Sequence, residues 1–192
     1  WAPIYVESQI ALSGSMITIQ GMDACGVMTA GLPPISLAPS ASLIGTAGLT
    51  GNPATPLGSP IALDLDEQID DLKKSATPVL ANLTNVTLGS AAIPTVHYAE
   101  PTSGTLNISQ VIGYGILLIK GNLQIAAPFQ WQGLIVVSGQ IAFAGGLGPS
   151  SLNGVLYAKQ VQVLNDDVSI TLDTCPVAVT LRTLPVQVLN WR

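Results

Sequence analysis

Gly115-Ile-Leu-Leu-Ile-Lys-Gly-Asn-Leu-Gln-Ile125, Gly133-Leu-Ile-Val-Val-Ser-Gly-Gln-Ile-Ala-Phe143 and Gly154-Val-Leu-Tyr-Ala-Lys-Gln-Val-Gln-Val-Leu164 are variations on one pattern. Each opens on Gly, runs through a short apolar stretch, bends at a small or polar pair, and then alternates apolar with polar residues. The opening glycines are 18 and 21 positions apart. A unit of that length is too short for a domain and fits one coil of a stacked β-structure. A single coil cannot bury its own apolar side, so it must stack on its neighbours. The repeat therefore predicts an all-β fold of the β-solenoid, or β-helix, kind.

Composition agrees. Hydrophobic residues make up 48% of the 192 positions and charged residues only 9%, against about 25% charged in an average soluble domain. Mean hydropathy is +0.51. Yet no window holds 18 uninterrupted apolar residues, as a spanning helix would require. The 19 Gly and 14 Pro cut the apolar runs to strand length.

Outward from the repeat, the reading is of one solenoid domain over residues 1–192. Residues 1–20 alternate through Ile4, Val6, Ile10 and Leu12, turn at Ser13-Gly14-Ser15, and continue at Met16-Ile17-Thr18-Ile19, as a first coil. Residues 21–95 are read as an irregular excursion carrying a helix: 21–60 lose the period among prolines and glycines and hold short strands ordered by packing rather than by a ladder of their own, and β patterning returns at Val79, Leu83, Val86 and Leu88. Residues 96–172 are the regular coils. Alternate side chains should line neighbouring layers, with Ile116, Leu118, Leu134, Val136, Val155 and Tyr157 among them; the inward phase is left open. Residues 173–192 alternate again, from Val177 to Leu189, and predict a terminal cap strand over an otherwise open edge.

The exception to β patterning is Asp64-Leu-Asp-Glu-Gln-Ile-Asp-Asp-Leu-Lys-Lys-Ser-Ala76. Leu65, Ile69, Leu72 and Ala76 recur at helical spacing. Asp64 with Glu67 matches a capping box, and Lys73-Lys74 follow the acids as the helix dipole favours. Residues 64–76 are expected to be a short docked helix, and the longest in the chain. They hold seven of its seventeen charged residues, which reads first as a solvated face.

A search for chemistry gives no catalytic set. His97 is the single histidine and sits in a strand-like run, so it reads as structural. Asp166, Asp167 and Asp173 are the carboxylates available for glycoside cleavage or for calcium, but Asn165-Asp166-Asp167 reads more simply as a turn. No catalytic, cofactor-binding or metal site is assigned. The six basic residues form no patch, and the net charge is −5, which argues against nucleic acid. A regular Thr row would point to ice binding; Lys120, Gln124, Gln140, Gln160 and Gln162 stand in these strands instead. Cys25 and Cys175 lie 150 positions apart. They are either two buried thiols or, in an oxidising compartment, one disulfide worth about 4–5 kcal/mol in the loop-entropy model.

Several stretches together resemble a family. They are Ile10-Ala-Leu-Ser-Gly-Ser-Met-Ile-Thr-Ile19 followed by Gly21-Met-Asp-Ala-Cys-Gly26, the turn Thr50-Gly-Asn-Pro53, the helix at 65–74, the coils at Gly113 and Trp131, and Asp173-Thr-Cys-Pro176. In that order they resemble the exported C-terminal part of PilX-type pilus-assembly proteins of bacteria. The resemblance covers most of residues 4–176. It departs at Lys159-Gln160, where the pattern favours a Gly turn. It implies pairing of Cys25 with Cys175. It also implies a non-enzymatic, extracytoplasmic, pilin-like minor component of a type IV pilus or related secretion filament. The location implied is the periplasm, the cell surface or an extracellular filament. Its partners would be other filament subunits or copies of itself, with membrane contact only through an N-terminal helix outside this chain. Two other readings stand beside it: a self-polymerising β-solenoid, and a carbohydrate-binding or carbohydrate-active β-helix.

Overall fold

In the computed structural model, which describes residues 2–14, 16–27, 30–45, 47–59, 62–79, 81–164 and 167–184, the chain winds into a β-solenoid. Its elements are β1 (Ile4–Leu12), β2 (Met16–Gln20), β3 (Ile35–Leu37), β4 (Ser42–Gly45), β5 (Gly48–Thr50) and β6 (Leu57–Gly58). Then come α1 (Leu65–Leu72) with a 3-10 turn (Lys73–Ser75), β7 (Thr77–Pro78), β8 (Leu83–Leu88), β9 (Thr95–Ala99) and β10 (Thr105–Ile119). The chain closes with β11 (Asn122–Val163), β12 (Asp167–Thr171) and α2 (Thr174–Thr183). The strands form one 12-stranded sheet, and every strand pairing is parallel. Strand β11 bends round corners and contributes to successive layers, which is how one strand reaches 42 residues.

The repeated glycine is the corner that makes stacking possible. Gly115, Gly133 and Gly154 all have positive φ, at 124°, 133° and 150°. They lie one above another: a Cβ on Gly133 would overlap the Gly115 carbonyl oxygen, and one on Gly154 would overlap that of Gly133. Only a residue without a side chain fits both the conformation and the closeness.

After each corner glycine, four apolar residues run together because this face is buried on both sides, as parallel strands covered by helices are. Leu117, Ile119, Ile135, Val137, Leu156 and Ala158 point into the lumen and belong to the main core. Ile116, Leu118, Leu134, Val136 and Val155 belong to a second core with Leu65, Ile69 and Leu72 of α1 and Val177 of α2. Tyr157 packs against that second core. So the residues expected between layers lie under the helices, and the opposite phase fills the lumen. On the other faces the lumen takes alternate residues, such as Leu106, Ile108, Leu123 and Ile125. Trp131 is fully buried there, stacked on Phe129 with centroids 6.4 Å apart. Its Nε1 donates to the Gly115 carbonyl at 3.2 Å.

The layers do not follow chain order. β10 lies between β8 and β9 below and β11 above. β1 pairs with residues 156–163 of β11, and β2 pairs with β12. The first coil therefore sits on the last regular one. β3 and β4 lie on β1, β5 on β2, and β6 on β3.

The excursion at 21–95 holds the short strands expected of it, but what orders them is corrected. Strands of two to six residues show no period of their own, yet they are ordered by more than packing, because each takes its ladder from the neighbouring layer. β3 to β6 extend the stack at one end, and β7 and β8 form its far end, on β9 and β10.

The expected cap strand is also corrected. The tail begins with α2, which has 10 residues against 8 for α1, so 64–76 is not the longest helix. Asp173 accepts from Cys175 N as N-cap, and Pro176 occupies the first turn, where it is tolerated. Val177, Thr180 and Leu184 then meet the protein surface at helical spacing, all of them buried. Residues 185–192, the rest of the expected strand, lie outside the described residues. The helix at 64–76 otherwise forms as expected: Asp64 accepts from Glu67 N at 3.0 Å, and Leu65, Ile69 and Leu72 are buried. Asp70 of α1 binds Lys73 at 2.6 Å and Lys120 of the strand corner at 2.9 Å, pinning the helix to the stack. These two ammonium groups, Lys73 first, hold the Asp70 carboxyl below its ordinary range.

Candidate functional site: a cystine clasp and charge-poor faces

The segment leaving the first coil meets the start of α2. Cys25 and Cys175 form a disulfide with Cα atoms 5.4 Å apart, inside the range such a bond requires. Ala24 N donates to Leu172 O at 2.8 Å. The Asp23 carboxylate, almost buried, accepts from Cys25 N at 3.2 Å, from Thr174 N at 3.0 Å and from Thr174 Oγ1 at 2.8 Å. Asp173 accepts from Cys175 N at 3.1 Å. Burial pushes the Asp173 carboxyl above its ordinary range, and the nearby Asp23 adds to this. The pairing implied by the family resemblance is thus present. A disulfide of this kind suits an oxidising, extracytoplasmic environment. Asp23 and Thr174 belong to the two Asp-x-Cys motifs, Asp23-Ala-Cys25 and Asp173-Thr-Cys175, an arrangement that marks local capping; the bond between them, across 151 positions, has no local signal.

The other candidates are scattered. His97 is buried in β9, with its Nε2 2.7 Å from Thr95 Oγ1. Burial lowers its pKa, so it is a neutral strand histidine. Asp167 opens β12 and Asp173 follows that strand, which separates them by about 20 Å of extended chain. The carboxyl pairs of glycosidases need about 5–9.5 Å, so these two do not form one. Asn165 and Asp166, the rest of the proposed turn or calcium cluster, lie outside the described residues.

Two clefts lie at the edges of the helix-covered face. One, of about 530 Å³, is lined by Glu7, Asp64, Asp66 and Lys159; burial raises the Glu7 pKa there. The other, of about 420 Å³, is lined by Tyr98, Glu100, Pro101 and Asn82 among others. Tyr98 donates its hydroxyl to Glu100 at 2.5 Å, and burial pushes its pKa to about 12.

The face that follows the helix-covered one is nearly flat in chemistry. Its outward rows place Asn107 beside Gln124, Thr105 beside Asn122 and Gln9 beside both Gln160 and Ser42. Side-chain bonds run between layers: Gln140 Nε2 donates to Gln162 Oε1 at 2.8 Å, and Asn122 Oδ1 accepts from Gln140 N at 2.8 Å. The strand segments of this face, residues 9–12, 42–45, 105–109, 122–126, 140–143 and 160–163, carry no Asp, Glu, Lys or Arg. Seven charged residues gather instead between Asp64 and Lys74, on α1 and the turn after it.

No protein-family model matches the chain, and no curated protein matches it. Among solved structures it is similar to an ice binding protein from an Antarctic Biological Consortium. That likeness covers 89% of this chain and 87% of that one, at a TM-score of 0.50 and 12% identity. At that identity it shows the β-solenoid-like fold alone.

Proposed function

We propose that the chain is a non-enzymatic, extracytoplasmic β-solenoid that works through its surfaces, as a pilin-like minor component of a type IV pilus or related secretion filament. One observation carries this reading. Two motifs of the PilX-type resemblance from opposite ends of the chain, Gly21-Met-Asp-Ala-Cys-Gly26 and Asp173-Thr-Cys-Pro176, meet in one covalent clasp. A clasp between motifs shared with exported pilus-assembly proteins fits a module that must hold its shape outside the cytoplasm. Faces rich in Gln, Asn, Ser and Thr suit packing against other subunits, where buried charge would be costly. The same rows mix Gln, Asn and Ala and lack an ordered column of Thr, which favours subunit packing over an ice-facing role.

The test is fractionation of the source cells. The chain should be found by mass spectrometry and immunoblotting in sheared surface filaments, oxidised at both cysteines. Recovery only from the cytoplasm, with two free thiols, would sink the proposal. Thermal hysteresis of the purified protein should be absent; its presence would replace the filament reading with ice binding.

A further inference from the structure

We propose that the two ends of the solenoid are complementary docking edges for a second copy of this chain, so that copies stack head to tail with their strand ladders continued across the contact. The proposal deepens the filament reading and rests on it for its biological setting.

At one end, among the described residues, β4 pairs only with β1 and β5 only with β2. At the other, β8 pairs only with β10 and β7 only with β9. Each end therefore presents backbone donors and acceptors along the stack axis, the arrangement that templates pairing with another chain. Because every pairing within the stack is parallel, a copy shifted along the axis meets its neighbour in the same parallel sense. Two like ends brought together would not.

The lumen gives the same answer. Leu43 and Leu49 at one end, and Leu83, Val86 and Leu88 at the other, pack on the main core yet stay only partly buried. Each set lacks the next layer. Ile44, on the outer side of β4, is 54% exposed.

Charge separates these ends from ordinary ones. Edge strands in proteins that remain single are blunted with charged side chains, Lys above all. Here no Asp, Glu, Lys or Arg occurs between Asp23 and Asp64, the stretch that builds the upper end. None occurs between Lys74 and Glu100, the stretch that builds the lower end. The cluster on α1 lies between these stretches in sequence but docks on the side of the stack, away from the end strands β4, β5 and β8. A contact between two different surfaces of one chain is heterologous, and when its rotation does not close a ring it propagates as a filament.

The test uses the oxidised chain 1–192, in sedimentation equilibrium over a concentration series and in negative-stain images. Mass should rise with concentration, and the images should show filaments one solenoid wide. Ile44→Lys on β4 and Thr84→Glu on β8 change exposed side chains at opposite ends. Each should weaken association by about tenfold, and an equimolar mixture should restore it, because Lys then meets Glu at the mixed contact. Circular dichroism checks folding; should either variant misfold, Ser42→Lys and Thr87→Glu, exposed on the same edges, replace them. A wild-type chain that stays monomeric to about 1 mM, variants that associate unchanged, or a mixture that fails to recover would overturn the proposal. A monomeric result leaves recovery from sheared filaments unaffected. Absence from those filaments with intact self-association removes the pilus role alone.

Discussion

Thr174 donates both its backbone N–H and its hydroxyl to the carboxylate of Asp23, 151 positions earlier in the chain. The disulfide beside this pair joins Cys25 to Cys175. The clasp is thus doubled: one covalent bond and one buried carboxylate hold the first coil's exit against the start of α2.

The clasp should show as stability. Protein made under oxidising conditions is expected to give no free thiols when denatured without reductant. Replacing both cysteines by Ser should lower unfolding free energy by about 4 kcal/mol in denaturant titration, as expected for so long a closed loop. Two reactive thiols per chain, or an unchanged midpoint, would contradict this.

The Asp173 carboxyl carries a pH signature. Its folded pKa is raised, chiefly by burial, so the folded state binds its proton more tightly than the unfolded state does. Its contribution is therefore fully present below the ordinary carboxylate range and is lost as pH rises through the shifted pKa. Asp173→Asn keeps an N-cap of similar strength. Stability measured from pH 3 to 7, a span of about 4 units around the ordinary Asp value, should fall less with rising pH in the variant than in the wild type.

His97 works in the opposite direction. Burial lowers its folded pKa, so stability is present above the ordinary His range and is lost as pH falls through it. His97→Gln should remove that loss on the acid side of the ordinary His range in thermal melts. A variant with the wild-type acid profile would assign the loss to other groups.

The corner glycines should be the least replaceable residues in the chain. Gly133→Ala meets both a positive φ and the Gly115 carbonyl, so a loss above about 2 kcal/mol is expected. Gly26→Ala has a positive φ of 73° but open space around it, so about 1 kcal/mol is expected. Equal losses in chemical denaturation would show that stacking distance is not what selects Gly.

Helix α1 should be held by its apolar side. Ile69 is fully buried, and Ile69→Asp should cost about 3 kcal/mol or more through lost burial and an unpaired buried charge. A change below about 0.5 kcal/mol, as for an ordinary surface site, would mean that the helix is not docked.

The coil and the helix at 65–72 are legible in the order of residues alone. The Gly-led repeat states where the chain must turn, because only Gly tolerates the stacked corner. Its apolar runs state that each coil must stack on its neighbours, and the Asp64 cap with the spacing of Leu65, Ile69 and Leu72 states that a short helix docks by that side. The burial of one face on both sides, and the helix's place over it, come from the folded chain. The disulfide was legible as one of two alternatives, and the family resemblance favoured the bonded one. Long-range packing sets the rest: Ile4 sits beside Leu156 rather than near its chain neighbours, β3 to β6 make a layer, and 174–183 is a helix. Parallel layers are joined by backbone hydrogen bonds, which carry no side-chain identity, and closing a longer loop adds little entropy cost. The order of layers is therefore absent from any local pattern. The alternation at 177–181 fits a strand or one side of a helix equally well, and docking against the second core selects the helix.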